Sequence, residues 1–385
     1  HAAAASGGGG GGGLCFDDEP PDAPMGPPPP PLRHQSSLGD VRVLQMNREK
    51  RSISFSEPAQ FVRRRPARPA APPARPPRPP GRREAAAPAH PLGSPPPLLA
   101  AQKFDQHFVW QKKLGAGCFS EVWAVRHAER PDEGYAIKVS HREFRSRAER
   151  DEYLREVRLA NDMPAHPNVV EYIRAWQDQR HFYVQMELCE GGTLQGVLDR
   201  DGEALRAPAH EPRVWEVARG VARGLEHIHS YEVIHCDLKP DNILIGADGT
   251  LKIGDLGQAT ALGKWDDQEG DGRYLSRDLL DCNPSTAADV FSFGLILYQI
   301  KSGAPLPIAG DSEEASTQWD FLRSGRAPPP PGTGAELGAL IHAMMGATPE
   351  ARPSAADVVA AACNAAANAA AAAAIAAAAA ATAAA

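Results

Sequence analysis

The stretch that decides the fold is Val233–Thr260, VIHCDLKPDNILIGADGTLKIGDLGQAT. It contains a His-x-Asp ending at Asp237, an asparagine five residues later at Asn242, and an Asp-x-Gly that begins thirteen residues further on at Asp255. Two short apolar segments lie between Asn242 and Asp255 and predict a hairpin-like pair that separates two polar loops. Each polar residue alone is explained by a turn or a cap, so the joint order of these residues carries the information.

This order suits the transfer of a phosphoryl group from ATP, which needs a carboxylate near the attacking hydroxyl, oxygen ligands for Mg²⁺ and cations near the phosphates. It resembles the catalytic and metal-binding loops of the protein kinases. The resemblance implies that Asp237 orients the hydroxyl and accepts its proton, with Lys239 stabilising phosphate charge. Asn242 and Asp255 are then the expected Mg²⁺ ligands, and ATP and Mg²⁺ are the expected cofactors.

Upstream of this stretch, three predicted strands cover Phe108–Leu114, Glu121–His127 and Tyr135–Val139. A glycine-rich turn, residues 115–120, joins the first two and would let backbone amides approach phosphates, although Ser120 replaces the last glycine of the usual pattern. Lys138 lies inside an apolar strand, which is costly without a partner. We expect Lys138 to contact the α- and β-phosphates.

The partner of Lys138 should come from the next predicted helix, Ser146–Asp162, which offers Glu149, Glu152 and Glu156. Glu156 is preferred because it lies beside apolar positions of that helix. Further strands are predicted at Val169–Trp176 and His181–Leu188, and helices at Pro212–Ser230 and Ala287–Ser302. The resemblance implies nucleotide contacts at Leu114, Gly115, Ala116, Gly117, Val122, Ala136, Lys138, Glu156, Met186, Glu187 and Cys189.

The expected fold is therefore α+β and bilobal. Its N-terminal lobe has a five-stranded antiparallel sheet and one helix, and its C-terminal lobe is mostly helical. Asp289, near the start of the helix at Ala287–Ser302, has helix capping as its simple explanation. The kinase resemblance implies instead that Asp289 braces the backbone of the catalytic loop.

Three local features resemble one branch of the protein kinases, the Wee/Myt family. Cys236 stands where most kinases have the arginine of His-Arg-Asp, the Asp-Phe-Gly motif reads Asp-Leu-Gly from Asp255, and the activation segment reads EGDGRY at residues 269–274. The segment NVVEYIRAWQDQRHFYVQMELCEGGTL at residues 168–194 resembles the same family. Members phosphorylate a tyrosine, and in the Myt branch also a threonine, in the glycine-rich loop of cyclin-dependent kinases, which inhibits mitotic entry.

Two departures from the general kinase pattern have physical consequences. Cysteine cannot pair with a phosphorylated residue as the usual arginine does, so Cys236 predicts activity without phosphorylation of the activation loop. Ser276-Arg277-Asp278 replaces the usual Ala-Pro-Glu, and Asp278 keeps a carboxylate that can pair with Arg352. Lys239 follows the serine/threonine kinase pattern, so the preference for tyrosine rests on the family resemblance alone.

Composition separates the kinase domain, residues 104–363, from two tails. Residues 1–101 are rich in Gly, Pro and Arg and are expected to be disordered, with 41–61 most simply a spacer and otherwise a docking peptide. Arg63–Arg83 holds eight arginines and no acidic residue, which is typical of a nuclear-import or polyanion-binding tract and equally of a solvated linker. Residues 364–385 are almost wholly alanine. The six cysteines form no close pairs, which suits a reducing compartment.

These observations favour a Wee-like nuclear kinase, with the cytoplasm as a second possible location. It would be a monomer whose partner is a cyclin-dependent kinase–cyclin complex, with no specific nucleic acid and no membrane. One alternative is a Myt-like membrane-associated dual-specificity kinase or another serine/threonine kinase, since the alanine tail is long enough to span a bilayer but near the threshold of insertion. The alternative from another class is a pseudokinase scaffold, against which Lys138, Asp237, Asn242 and Asp255 are all retained.

Overall fold

The N-terminal part of the chain is built on an antiparallel sheet. The computed structural model describes residues 42–47, 52–56, 107–117, 120–141, 146–178, 181–264 and 270–384. The strands of this part are β1 (Arg42–Asn47), β2 (Ser52–Ser56), β3 (Phe108–Ala116), β4 (Ser120–His127), β5 (Arg130–Ser140), β6 (Tyr172–Asp178) and β7 (His181–Glu187). Strands β3 to β7 are the five strands expected for the N-terminal lobe, and their order in the sheet is β6-β7-β5-β4-β3.

One helix, α1 (Arg147–Asp162), accompanies this sheet, as expected. Alternation along the strands gives the sheet two apolar faces. Ala136 and Ala175 share a cluster with Leu154 and Val157 of α1, whereas Trp176 belongs to a second cluster with Phe108. Both faces of the sheet are therefore packed, and the α1 face is continuous with the main core.

The N-terminal segment differs from its prediction. Residues 42–47 and 52–56 were assigned to a disordered region and form instead the paired strands β1 and β2. β1 continues the sheet by antiparallel pairing with β6, with Val43 opposite Trp176 and Leu44 opposite Ala175. The spacer interpretation weighed polar composition and overlooked the alternation Ser-Ile-Ser-Phe-Ser in β2, which is the period of a half-buried strand. The basic tract Arg63–Arg83 lies outside the described residues.

The C-terminal part is mostly helical, as expected. Its helices are α2 (Leu194–Arg206), α3 (Glu211–Ser230), α4 (Arg277–Leu280), α5 (Thr286–Ser302), α6 (Glu313–Leu322), α7 (Ala335–Met344) and α8 (Ala355–Ala384). Short strands lie among them: β8 (Gly192–Thr193), β9 (Val233–Ile234), β10 (Ile243–Ile245), β11 (Leu251–Ile253) and β12 (Thr260–Ala261). α3 buries its apolar stripe, and α5 is buried on nearly all sides. The described residues from Arg42 to Ala384 belong to one compact unit.

Two boundaries differ from the sequence prediction. Val169 and Val170 do not belong to β6; they lie beside β11, where Val169 bridges Ile253 and the amide of Val170 donates to the Ile253 carbonyl oxygen at 2.8 Å. The alanine-rich tail continues α8, so no break occurs at residue 364. Among the described residues, the stretch Pro349–Ala374 has the length and, over an 18-residue window, the mean hydropathy (1.2) that could cross a membrane.

Candidate active site

Lys138, the lysine predicted on a strand, is paired with two carboxylates. Nζ of Lys138 lies 2.9 Å from Oε2 and 3.0 Å from Oε1 of Glu156, and 2.7 Å from Oδ1 of Asp255. The structure thus selects Glu156 as the partner on α1 and joins the sheet to the Asp-Leu-Gly turn through one ammonium group. Burial alone would lower the pKa of Lys138, but the carboxylates of Glu156 and Asp255 outweigh it and raise that pKa. Lys138 chiefly holds the pKa of Asp255 at about 2.

Tyr172 is a site residue that the sequence reasoning missed. It lies on β6 with 6% of its surface exposed. Its hydroxyl donates to Oε1 of Glu156 at 2.7 Å and accepts from the backbone N–H of Leu256 at 3.2 Å. The sequence signal was weak, because Tyr172 is one residue of a predicted strand and its partner Leu256 lies 84 residues further along the chain.

The catalytic loop brings Asp237, Lys239 and Asn242 together. Oδ2 of Asp237 accepts from Nζ of Lys239 at 2.8 Å and from Nδ2 of Asn242 at 3.1 Å. Asn242 also donates to the Asp237 carbonyl oxygen at 2.8 Å, which ties the two ends of the loop. Burial alone would lower the pKa of Lys239, but Asp237 beside it raises that pKa. The loop therefore presents a buried carboxylate held by one cation and one amide.

Asp289 fixes the backbone that carries Asp237. Its Oδ2 accepts from the backbone N–H of His235 at 2.8 Å and its Oδ1 from that of Cys236 at 3.0 Å. Oδ2 also lies 2.8 Å from Nε2 of His229. Burial would raise the pKa of Asp289, but the bonds from His229 and the loop backbone lower it. The bracing role predicted for Asp289 is confirmed in geometry.

The activation segment contacts Asp237 directly. The backbone N–H of Asp271 donates to Oδ1 of Asp237 at 2.8 Å. Gly270 is pressed against the loop, because a Cβ there would meet the Cys236 carbonyl oxygen and lie 2.8 Å from Oδ1 of Asp237. A glycine is therefore needed at this position for the segment to approach the carboxylate.

Further along, the segment is held by arginines. Arg323, buried at the end of α6, donates through Nε to the Leu275 carbonyl oxygen at 2.7 Å and through Nη2 to the Arg273 carbonyl oxygen at 2.9 Å. Its guanidinium lies 3.6 Å from the ring centroid of Trp319, a cation–π contact. Nη2 of Arg352 pairs with Oδ1 of Asp278 at 2.7 Å, so the predicted ion pair is present although aspartate replaces glutamate.

The remaining predicted nucleotide contacts line the end of the sheet and its connection to α2. Ala136 and Met186 are buried and directly opposite each other on β5 and β7, and Val122 lies opposite Lys138. Glu187 and Cys189 begin the connection, where Glu187 pairs with Lys252 at 3.0 Å. Leu114 is exposed. Among the described residues, a Cβ at Gly115 or Gly117 would meet no atom closer than 3.9 Å, so these two glycines are not held by close packing.

The donor set suits Mg²⁺. The NH₂ group of Asn242 is used by Asp237, so its carbonyl oxygen is the atom left for a cation. Oδ1 of Asp255 faces Lys138 and the Gly257 N–H, which leaves Oδ2 for the same purpose. No cluster of three or more His, Cys, Asp or Glu suited to a metal occurs among the described residues. Mg²⁺ is commonly held by one or two protein oxygens together with substrate phosphates, and the oxygens of Asn242 and Asp255 are suited to be those protein ligands.

Comparison with known proteins identifies the family of the chain. Residues 108–362 match the protein kinase domain family. The chain is 36% identical over 215 residues to the mitosis inhibitor protein kinase wee1 of Schizosaccharomyces pombe, which covers 55% of this chain and 24% of the relative. It is 35% identical over 246 residues to the membrane-associated tyrosine- and threonine-specific cdc2-inhibitory kinase of Drosophila melanogaster, which covers 63% of this chain and 44% of the relative.

Probable protein kinase DDB_G0291842 of Dictyostelium discoideum is 33% identical over 230 residues, 59% of this chain and 63% of that protein. The chain spans less than two thirds of the length of each of these relatives. Because the family match covers residues 108–362, the chain belongs to the protein kinase family, and the relatives to which it is similar include kinases of the Wee and Myt types.

Proposed function

We propose that this protein is an ATP-dependent kinase that phosphorylates a tyrosine in the glycine-rich loop of a cyclin-dependent kinase and so inhibits mitotic entry. The observation that carries the enzymatic part is the joining of Lys138, Glu156 and Asp255 beside the Asp237–Lys239–Asn242 cluster. The substrate follows from relatives named as mitosis inhibitor and cdc2-inhibitory kinases.

In this proposal each side chain has one task. Asp237 orients the tyrosine hydroxyl and accepts its proton, while Lys239 offsets charge on the transferred phosphoryl group. Lys138, oriented by Glu156, holds the α- and β-phosphates. Asn242 and Asp255 hold Mg²⁺, which when bound neutralises phosphate charge during transfer. Leu114, Val122, Ala136 and Met186 enclose the adenine, and backbone groups of Glu187 and Cys189 bind its edge.

We also propose activity without phosphorylation of the activation segment. Three contacts support it: the Arg323 bonds to the segment backbone, the Arg352–Asp278 pair and the bond from Asp271 to Asp237. Two of these contacts come from arginines and the third from the backbone N–H of Asp271, and together they hold the segment as a phosphate-binding arginine does in other kinases. If phosphatase treatment of the activation segment abolished turnover, this part of the proposal would be wrong.

The decisive experiment incubates the full chain with a cyclin–kinase complex, Mg²⁺ and ATP, and then maps the modified residue by mass spectrometry. We expect one phosphotyrosine in the substrate's glycine-rich loop, and none with Asp237→Asn. Phosphothreonine alone, or modification elsewhere, would contradict the proposed specificity. Absence of Mg²⁺-dependent ATP binding would instead favour the scaffold alternative.

A Myt-like function is the second candidate, because Pro349–Ala374 meets the length and hydropathy criteria of a membrane span and one relative is named membrane-associated. Against it, α8 packs on α3 and α7 of the same domain. We propose a nuclear monomer whose arginine tract directs import. Vesicle flotation of the full chain separates the two: a chain that stays at the bottom of the gradient supports the Wee-like proposal, and one that floats supports the Myt-like one.

A further inference from the structure

The hydroxyl of Tyr172 hydrogen-bonds to two elements whose relative position matters for the proposed reaction. One side of it is the α1 glutamate that orients Lys138, and the other is the backbone of the Asp-Leu-Gly turn. The ring is buried in the main core cluster, together with Leu256. A phenylalanine would fill nearly the same volume, so packing alone does not account for the hydroxyl.

Both bonds of the hydroxyl are needed locally. Without it, the N–H of Leu256 would lose its acceptor in a buried place, and a buried donor without a partner is costly. Glu156 would lose one of the two groups that hold its Oε1, the other being Lys138. Burial, followed by the carboxylates of Glu156 and Asp255, raises the pKa of Tyr172 well above its ordinary value, so the hydroxyl keeps its proton to donate.

The neighbouring Asp255 makes this anchor consequential. Asp255 has φ of 55°, in the left-handed region, a conformation that is uncommon for a non-glycine residue and is supported here by contacts on both sides. The bond from Leu256 to Tyr172 fixes the peptide group that follows Asp255, and Oδ1 of Asp255 accepts from the Gly257 N–H at 3.3 Å on the other side. The direction of the second carboxylate oxygen is set by these contacts.

We infer that Tyr172 is a positioning residue whose hydroxyl links α1 to the Asp255–Leu256–Gly257 turn, so that the phosphate-binding lysine and the Mg²⁺-binding carboxylate are aligned together. This inference rests on the proposed use of Mg²⁺ and ATP but not on the identity of the protein substrate. It makes β6 part of the active site and extends the site beyond the motif residues.

The test compares Tyr172→Phe with Tyr135→Phe in the full chain. Tyr135 is a matched control, because it is a buried tyrosine of the same sheet whose hydroxyl bonds Glu133 and whose ring belongs to the opposite face. For Tyr172→Phe we expect the half-saturating Mg²⁺ concentration for binding of a non-hydrolysable ATP analogue to rise about tenfold, within the range set by an unsatisfied buried donor. Amide exchange along α1 should also become faster, with cooperative unfolding retained. Tyr135→Phe should match the parent in both measurements.

An unchanged Mg²⁺ dependence and unchanged α1 exchange in Tyr172→Phe would overturn the inference. A second measurement needs no variant: the Leu256 amide of the parent chain should exchange slowly, and rapid exchange would contradict the bond. If the analogue binds with the predicted pattern but no cyclin-dependent kinase is modified, the proposed substrate is wrong and the role of Tyr172 stands. If the parent shows no Mg²⁺-dependent binding at all, the proposed function fails first.

Discussion

At the scale of single residues, the catalytic loop depends on side chains that touch no substrate. Asp289 lies in α5, and its two oxygens receive the backbone N–H groups that precede Asp237. An aspartate can accept on both oxygens, whereas asparagine presents an NH₂ group to one of the two donors. A residue of the same shape, such as asparagine, cannot accept from both N–H groups, so the loop needs the carboxylate.

Asp289→Asn should lower kcat about tenfold or more, because one loop donor loses its acceptor and Asp237 shifts. The pKa of Asp289 is lowered in the folded state, so its contribution to stability is present above the ordinary carboxyl pKa and is lost as pH falls through the folded value. Because Asp289→Asn removes this carboxylate, the free energy of unfolding of the variant should fall less steeply than that of the parent as the pH is lowered. Thermal unfolding of both proteins between pH 3 and 7, about the range of carboxyl titration, measures it; parallel curves would contradict the prediction.

Gly270 gives a second residue-scale prediction with an internal control. Gly270→Ala should reduce turnover about a hundredfold, since its Cβ collides with backbone and the displaced segment carries the Asp271 bond away from Asp237. Gly272→Ala should be close to the parent, because a Cβ there meets no atom of the described residues within 4 Å. Steady-state kinetics of both variants decides; equal losses would show that chain flexibility, not the close approach, governs this segment.

At the scale of elements, sequence reasoning succeeded where a pattern was local. The period of β3–β5, the apolar stripe of α3 and the motif spacing from Asp237 to Asp255 each lie within a short window of sequence. It missed Tyr172 and the buried Arg323, whose importance comes from partners tens of residues away. It also missed the β1–β2 hairpin, because a short two-stranded hairpin is stabilised by the strand it joins, here β6, and not by its own composition.

The β1–β2 hairpin gives the prediction at this scale. β1 lies between β2 and β6, so a proline within it removes an N–H from one of the two ladders. Leu44→Pro should therefore accelerate amide exchange in β6, because the hairpin cannot persist in isolation.

The control is Ala71→Pro, placed in the proline-rich tract, which should leave β6 exchange unchanged. Equal exchange in β6 for the parent and Leu44→Pro would contradict the pairing.

At the scale of the whole molecule, a few charged contacts connect the sheet to the helical part. Arg126 of β4 pairs at 2.8 Å with Glu190, which lies in the connection after β7, and Lys138 of β5 pairs with Asp255 at 2.7 Å. A nucleotide held between these parts would add contacts to both at once. Binding should therefore stabilise the chain as one cooperative unit.

A non-hydrolysable ATP analogue with Mg²⁺, at about a hundred times its Kd, should add about 2.7 kcal/mol to the free energy of unfolding. For a domain of this size this amounts to a rise in Tm of about 5–10 °C. Asp255→Ala should fold and lose the Mg²⁺-dependent part of that rise. Differential scanning fluorimetry with and without Mg²⁺ measures it, and an equal rise in the variant would refute the metal role of Asp255.

The paired state of Lys138 has a consequence for how anions bind. The ammonium is already fully charged and flanked by two carboxylates before a phosphate arrives. When a phosphate binds, it exchanges with a carboxylate as the counter-ion of Lys138, and the lysine takes up no proton. Calorimetric titrations in buffers of different ionisation enthalpy should accordingly give the same observed heat, apart from protons released by the nucleotide itself.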